Sequence, residues 1–391
     1  MNILITGAKG FIGKNLAETL NNIKNGKDQS FNLTNNLTIF KFDIDTDPKM
    51  LDFYCQKADF IFHLAGVNRP EDQSEYMKGN LGFTSILLDT LRKYKKRPPV
   101  MLSSSIQAEM NNPYGQSKRA GEELVFQYSI DTKSPVYVYR FPNVFGKWCR
   151  PNYNSVVATF CNNIANDIPI MVSDPAIVMN LVYIDDVIVE LINCLKGNAT
   201  KDNNLCSVSE TYKIALGEIV DLLYSFKASR DMFSDAKLTI PDMSNTFTKK
   251  LYATYLSYLP TDGFSYDLKM NCDNRGSFTE IIRSYDKGQF SVNISKPGIT
   301  KGNHWHNTKN EKFIVVSGRG VIRFRKIGID MHGCKYPIIE YFVDDEHLKV
   351  VDIPTGYTHH IENLCNNDLV TLIWCNECFN SNKPDTFYEE V

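Results

Sequence analysis

At roughly 150 residues per domain, the 391 residues of this chain predict two or three domains and at least one large core. Hydrophobic residues make up 43% and charged residues 23%, the balance of an ordinary packed protein, which excludes disordered and fibrous classes. A formal charge of -2 offers no basic field for nucleic acid, and no apolar run approaches the roughly 18 residues of a membrane span, so neither partner is expected.

The chain opens on MNILITGAKGFIG, an apolar stretch with no basic leader and with glycines where a cleavage site would stand, so a cytoplasmic location is expected. Ten scattered cysteines then read as small buried hydrophobes of a reducing compartment, with no disulfides. Short apolar runs at Asn2–Thr6, Leu37–Phe42, Phe60–Leu64, Val100–Ser103 and Val136–Arg140 predict strands. Between them Lys14–Leu20, Tyr76–Tyr94 and Lys118–Tyr128 carry apolar residues at i, i+3 and i+4, which predicts helices. Alternation of this kind is the pattern of a parallel sheet covered by helices, and it extends over residues 1–246. Residues 247–272, with the tyrosine-rich Leu251–Pro260, are expected to be a linker and a docking helix. From 273 to 391 the rhythm changes to runs at Gln289–Ser295, Lys312–Val316, Val321–Arg325, Ile338–Val343, Lys349–Ile353 and Leu369–Trp374, broken by Gly, Pro and Asn. That spacing predicts an all-β sandwich or barrel.

Two places carry chemistry in the first half. Gly7, Gly10 and Gly13 stand between the first strand and the first helix, where glycines let backbone amides approach a pyrophosphate and a helix N-terminus adds positive potential. Further on, Ser103, Ser104 and Ser105 end a strand and Tyr114 precedes Lys118 by four residues, so both side chains share one helical face. An ammonium beside a phenol lowers its pKa, which equips the tyrosine to exchange a proton with a carbonyl or alcohol.

Together these residues resemble the extended, nucleotide-sugar branch of the short-chain dehydrogenase/reductase superfamily, whose fold is a Rossmann-like α/β sheet. HLAG (His63–Gly66), RFPNVFG (Arg140–Gly146) and NLVYIDDV (Asn180–Val187) complete the resemblance. It implies that Ser105 or Ser104 polarises a carbonyl, that Tyr114 is the acid/base, and that Lys118 binds the nicotinamide ribose and tunes Tyr114. It implies a nicotinamide cofactor held by Gly7, Gly10, Phe11, Ile12, Gly13, Asp43, Leu64, Ala65, Gly66 and Lys118, and a sugar nucleotide along Asn143, Arg150 and Asn152. Ile106 and Gln107 follow Ser105 where 4,6-dehydratases of this branch carry Asp-Glu, so plain ketone/alcohol chemistry is expected rather than dehydration. Phe40–Pro48 compresses the usual second and third strands. An acid at the ribose, such as Asp43, favours NAD, whereas Lys9, Lys14 or Lys41 favour NADP, and the sequence leaves both open.

In the second half, Gly298-x5-His304-Trp-His306-x4-Glu311-x6-Gly318 and Pro354-x-Gly356-x2-His359-x3-Asn363 resemble both motifs of the cupin superfamily. Residues two apart on a strand face one side, so His304 and His306 can meet an ion that Glu311 and His359 complete, a set suited to Zn, Fe, Mn or Ni. Leu348 departs from the glycine that usually opens the second motif. Asp273–Glu280 is similar to the entry of sugar-nucleotide 3- or 3,5-epimerases, which are also cupins; Lys301, Tyr357 and His360 are candidate bases. Cys375 and Cys378 form a lone CxxC with no second pair, and a redox or zinc role is not expected of them.

Stretches along the whole chain, among them SSSIQA (103–108), FGKWC (145–149), LGEIVDLLY (216–224), VNISKPGITKGNHWH (292–306) and PDT (384–386), resemble the bifunctional capsular polysaccharide enzymes that fuse these two modules. The resemblance implies C3 epimerisation of a UDP-2-acetamido-2,6-dideoxy-4-hexulose by the cupin, then NADPH-dependent C4 reduction by the first half. The implied product is UDP-2-acetamido-2,6-dideoxy-L-talose, on the route to UDP-N-acetyl-L-fucosamine, and the resemblance further implies a zinc-bearing homodimer. A reductase with a structural or sensing metal module is the competing expectation.

Overall fold

The computed structural model describes residues 1–94, 96–231, 233–234, 237–284 and 286–391. The chain forms two compact units, Met1–Leu223 with Thr246–Pro260, and Tyr224–Asn245 with Thr261–Val391.

In the first unit, strands β1 (Asn2–Thr6), β2 (Thr38–Phe42), β3 (Phe60–His63), β4 (Val100–Ser105) and β5 (Val136–Phe141) lie parallel in the order β2-β1-β3-β4-β5. This is the Rossmann-like sheet that the alternating pattern predicts. One strand instead of two lies on the β2 side of β1, as the compressed Phe40–Pro48 segment requires. Central strands are buried on both faces, which is why Ile3, Leu4, Ile5, Ile61 and Phe62 run without polar interruption. Helix α1 (Phe11–Lys24) buries Leu16, Ala17, Leu20 and Ile23 on one stripe against the sheet, and a later helix, Ile184–Leu195, packs its own apolar stripe beside it.

The order reverses at β1, leaving a crevice between the carboxyl ends of β1 and β3. Two turns meet there. Gly7 has φ +69, and a Cβ on it would lie 2.6 Å from the Ala65 nitrogen. A Cβ on Gly13 would lie 2.1 Å from the Gly7 carbonyl oxygen and 2.9 Å from the Ala8 Cα. Only glycine lets the loop fold back on the helix so closely. Gly13→Ala is therefore expected to destabilise the first unit by about 1–3 kcal/mol, the range for overpacking a dense site, and to weaken nicotinamide binding. Urea unfolding with and without dinucleotide measures both.

The longest helix, Pro113–Thr132, has proline at its first position, and the Asn112 Oδ1 accepts a hydrogen bond from the Gly115 N–H at 2.7 Å. This cap fixes where the helix begins, so Tyr114 sits in its first turn and Lys118 one turn later.

The second unit is antiparallel throughout its two main sheets. One sheet joins Met270–Asp273, Gly276–Ser284, Gly288–Ser295, Leu369–Cys375, Glu311–Ser317 and Val351–Ile353 in that order. The other joins Ile339–Asp344, Arg319–Lys326, Tyr357–Asn363, Thr300–Trp305 and Phe387–Tyr388. Phe313, Val315 and Ile373 of the first meet Ile322, Phe324 and Ile361 of the second in a shared core. This is the all-β domain the sequence predicts. A bulge at Asn303 (φ 57) interrupts the pairing of Thr300–Trp305 with Tyr357–Asn363: Lys301 opposes Ile361, and after one extra residue His304 opposes His359. Because of that extra residue both Lys301 and His304 share a face with the buried Ile361 and His359.

Candidate functional sites

At the crevice of the first unit, β1 and β3 are tied by a buried imidazole. Thr6 Oγ1 lies 2.7 Å from His63 Nδ1, and His63 Nε2 lies 2.9 Å from Thr84 Oγ1. Burial, with the Lys118 ammonium adding to it, pulls the His63 pKa down to about 3, so this ring is a neutral strut. Leu64, Ala65 and Gly66 continue from it along the crevice, and a Cβ on Gly66 would sit 3.0 Å from Lys118 Nζ. Across from them, Gly10 caps α1 and Phe11 and Ile12 form its first turn, which holds no acidic residue to oppose the positive helix end. The Asp43 carboxylate accepts from the backbone N–H groups of Lys9, at 2.7 Å, and Ile44, at 2.8 Å, so it braces the glycine loop. Lys9 pairs with Asp45, Lys41 lies 3.6 Å from Glu18, and the Lys14 ammonium sits 4.6 Å from the Trp148 ring centre.

Tyr114 and Lys118 share a helical face, with the ammonium 5.8 Å from the phenol ring centre and donating to the Ser103 carbonyl at 3.2 Å. The free protein does not show the lowered phenol that the Tyr-Lys spacing predicts. Burial dominates and pushes Tyr114 up to about 12, opposed by a hydrogen bond with Ser105 and reinforced by Tyr76 and Tyr153. Burial likewise draws Lys118 down to about 8. The phenol donates to Asn68 Oδ1 at 3.1 Å, and Tyr76 donates to the Asn68 carbonyl at 3.1 Å.

The two candidate serines part company. Ser104 is buried and its hydroxyl donates to Glu122 Oε1 at 2.5 Å, so it is unavailable to a carbonyl beside Tyr114. Glu122 also takes Arg140 Nε at 2.9 Å and Nη2 at 2.6 Å. Strand alternation turns Ser105 the other way, where its Oγ accepts from the Gln107 N–H at 3.2 Å and faces Tyr114. Glu122→Ala would leave the partly exposed Arg140 only Glu109 as a partner and the buried Ser104 hydroxyl without its acceptor, and is expected to cost about 1–3 kcal/mol, read by chemical unfolding.

Of the three residues assigned to the sugar nucleotide, Arg150 stacks 5.3 Å from the ring centre of Tyr153, which is close enough to Tyr114 to raise its pKa. Asn152 adopts φ 54 and its N–H donates to Thr159 Oγ1 at 3.0 Å. Asn143 donates to the Asn180 carbonyl at 3.4 Å, and no contact joins it to Tyr114 among the described residues.

In the second unit His304, His306, Glu311 and His359 converge, with one ligand atom from each within 4.8 Å of all the others. His306 and His359 are each 1% exposed, yet His306 Nε2 and both ring nitrogens of His359 have no hydrogen-bond partner. Buried imidazole nitrogens without partners are costly unless they bind something, so the residues present fit a metal ion. Burial first, then the neighbouring His359, draws His304 down to about 4, which favours the neutral ring a metal needs. Burial opposes charge on Glu311, but the neighbouring His306 and His359 rings and the Lys309 ammonium hold its carboxyl well below the usual range.

Among the proposed bases, Lys301 Nζ is spent on the Ile294 carbonyl at 2.8 Å, Asn293 Oδ1 at 3.0 Å and the Ser277 carbonyl at 3.4 Å. His360 lies on the opposite face from His359, against Asn303 Oδ1 at 2.9 Å and Arg323 Nη1 at 3.4 Å. Tyr357 packs on the barrel core.

Sequence reasoning missed four residues that touch these sites. Asn68 holds Tyr114. Glu311 Oε1 takes Lys309 Nζ at 3.0 Å and the Cys375 thiol at 3.2 Å, leaving Oε2 toward His306 and His359. Asp385 receives His306 Nδ1 at its carbonyl, 2.6 Å away. Only strand register brings Cys375 opposite Glu311, and no spacing announces that. All ten cysteines are free thiols. No helix among the described residues is long and apolar enough to cross a membrane.

Comparison with known proteins agrees with this two-part construction. Residues 3–203 match the NAD dependent epimerase/dehydratase family, and residues 271–387 match the polysaccharide biosynthesis C-terminal domain. A UDP-2-acetamido-2,6-beta-L-arabino-hexul-4-ose reductase of Pseudomonas aeruginosa is 41% identical over 99% of this chain and 98% of its own. The crystal structure of the capsular polysaccharide assembling protein CapF from Staphylococcus aureus superposes with a TM-score of 0.90 at 52% identity, covering 100% of both chains. A Bacillus cereus UDP-glucuronic acid 4-epimerase solved with NAD, 22% identical, covers 66% of this chain and 96% of its own at a TM-score of 0.50, a likeness of fold alone. With full-length similarity to CapF and both modules matched, the chain belongs to the CapF family of capsular polysaccharide enzymes, in which a nucleotide-sugar reductase/epimerase domain of the NAD dependent epimerase/dehydratase family precedes an all-β domain.

Proposed function

We propose that the chain is a bifunctional nucleotide-sugar enzyme. Its second domain epimerises C3 of a UDP-2-acetamido-2,6-dideoxy-4-hexulose, and its first reduces the C4 ketone to UDP-2-acetamido-2,6-dideoxy-L-talose, on the route to UDP-N-acetyl-L-fucosamine. The observation that carries the reading is a Tyr-Lys pair facing a dinucleotide crevice in the same chain as a buried three-histidine, one-carboxylate set. The 4-ketose reductase name of the Pseudomonas aeruginosa relative supports the substrate class.

A bound nicotinamide would supply hydride, and an ion held by His304, His306, Glu311 and His359 would supply Lewis acidity. The rest falls to the chain. A proton on C3 is acidic because C4 is a ketone, so it can leave to a base and return on the other face. Tyr114, steadied by Ser105, then gives its phenolic proton to the C4 oxygen as the carbonyl becomes an alcohol. Lys118 stands one turn away to hold the ribose and to favour the resulting phenolate, an attraction that strengthens once substrate excludes water and frees Tyr114 from Asn68. Reduction removes the ketone that made C3 acidic, so it must come second, and it traps the epimer.

NADPH is the proposed donor. Both oxygens of Asp43 are spent on backbone N–H groups, while Lys9 and Lys41 at the rim are tied only by exposed ion pairs that a 2'-phosphate can displace.

A second reading has an observation behind it: four converging protein ligands are the number that structural zinc takes, which would leave only the reductase active. Incubation with the UDP-linked 4-keto sugar in D2O, followed by NMR, separates the two. Deuterium at C3 without cofactor, then reduction at C4 with NADPH, supports two activities. Reduction without exchange leaves the second domain structural, and neither event overturns the substrate class.

A further inference from the structure

His306 and Glu311 stand at the two ends of a four-residue loop, and Asp385 of the C-terminal segment meets it. Phe387 and Tyr388 pair with Trp305 and His304, so the C-terminal segment extends the same sheet edge that bears the histidines. Where this strand begins, Asp385 makes contacts in two directions. Its carbonyl oxygen lies 2.6 Å from His306 Nδ1. A carbonyl can only accept, so Nδ1 must carry the proton, which leaves the Nε2 lone pair toward His359 and Glu311. Its carboxylate gathers the loop: Oδ1 takes the Asn307 N–H and side-chain amide, each at 3.1 Å, and Oδ2 takes the N–H groups of Thr308 at 2.8 Å and Lys309 at 2.9 Å, with the Thr308 hydroxyl at 3.1 Å. Desolvation opposes ionisation here, yet those N–H donors hold the carboxyl well below its usual range.

Serving both directions at once requires an unusual backbone. Asp385 has φ 39, in the left-handed region that non-glycine residues enter with strain and that Asp and Asn tolerate best. The loop it holds carries Lys309 two residues before Glu311, and the Lys309 ammonium fixes one oxygen of Glu311. One residue is thus bonded to a ring of the set directly and to the carboxylate of the set through the loop.

We propose that Asp385 is a positioning residue for the metal set, fixing the tautomer of His306 through its carbonyl and the span from His306 to Glu311 through its carboxylate. The proposal rests on the metal reading of those four ligands. It also explains the Pro384-Asp385-Thr386 stretch, which lies far from both cupin-like motifs in the sequence.

Full-length apo-protein titrated with Co2+, using visible absorption and competition with a chelator, tests it. Asp385→Ala is expected to weaken Co2+ binding about 10- to 100-fold, the usual effect of losing an outer partner of a ligand, and to shift the cobalt spectrum. Asp385→Asn, which keeps one acceptor oxygen and tolerates the backbone, is expected to fall between Asp385→Ala and the unaltered protein. Asp344 is the control, since it caps a turn of the same domain by accepting from the N–H groups of Glu346 and His347 without touching the set. Asp344→Ala is expected to bind cobalt as the unaltered protein does. Binding within twofold and an unchanged spectrum in the Asp385 variants overturns the proposal, as does an equal loss in Asp344→Ala. Should Asp385→Ala fail to fold, Asp385→Asn decides by the same criterion. If the unaltered protein takes up no Co2+, the metal reading itself falls and the proposal with it, an outcome distinct from the others.

Discussion

Tyr114→Phe is expected to reduce ketone-dependent NADPH oxidation by about 10²–10⁴-fold, the range that a positioned proton donor contributes. The phenol is the acidic group that the helix turn aims at the crevice, within reach of Ser105 and one turn from Lys118. Phe fills nearly the same volume, and the hydrogen bonds it gives up, to Asn68 and Ser105, are partly buried contacts worth about 1 kcal/mol each, so the domain stays folded. The informative control lies in the other domain: if it epimerises C3 as proposed, proton exchange at C3 in D2O is expected to continue at its original rate, because nothing there uses Tyr114. Reduction retained at more than a tenth of the original rate would remove Tyr114 from the mechanism.

His359→Ala is the second large effect, expected to bring bound metal after dialysis to a small fraction of an equivalent by elemental analysis. His359 is buried beside Phe313 and Phe324, with ring centres 5.9 and 6.3 Å away, and its Nε2 lies 3.4 Å from Glu311. Truncation removes one of four converging ligands and leaves a hole in a packed layer, so affinity and local packing fall together. The two readings of the metal then diverge. A catalytic ion predicts lost C3 exchange in a folded barrel, with reduction of an already epimerised ketose intact. A structural ion predicts a lower melting temperature, with reduction recoverable on cooling. Undiminished metal content refutes the ligand set.

Much of this was legible in the chain because it depends on short-range order. The change from a helix-and-strand rhythm to a strand-only rhythm near residue 270 is local periodicity, and it marks the two fold classes. The glycine spacing follows from contacts within one turn, where Gly13 meets the Gly7 carbonyl. Tyr114 and Lys118 share a face for the same reason, as a helical i, i+4 pair. Proximity in sequence failed where facing decides. His360 adjoins His359 yet points away from it, and Ser104 adjoins Ser105 yet serves Glu122.

By itself, then, the sequence determined two modules, their fold classes, a dinucleotide loop and the motifs that carry two sets of chemistry-bearing residues, since within each motif neighbouring positions lie close in sequence; His359 joins its set from a second motif. The tertiary structure alone decided which of two serines faces Tyr114, that burial outweighs Lys118 in setting the pKa of the free phenol, and that Lys301 and His360 are committed elsewhere. It alone brought Cys375 and Asp385 to Glu311 and His306 across separations of 64 and 79 residues. Strand register and the course of the C-terminal segment set those contacts, and both are products of packing over the whole domain, which no local pattern encodes.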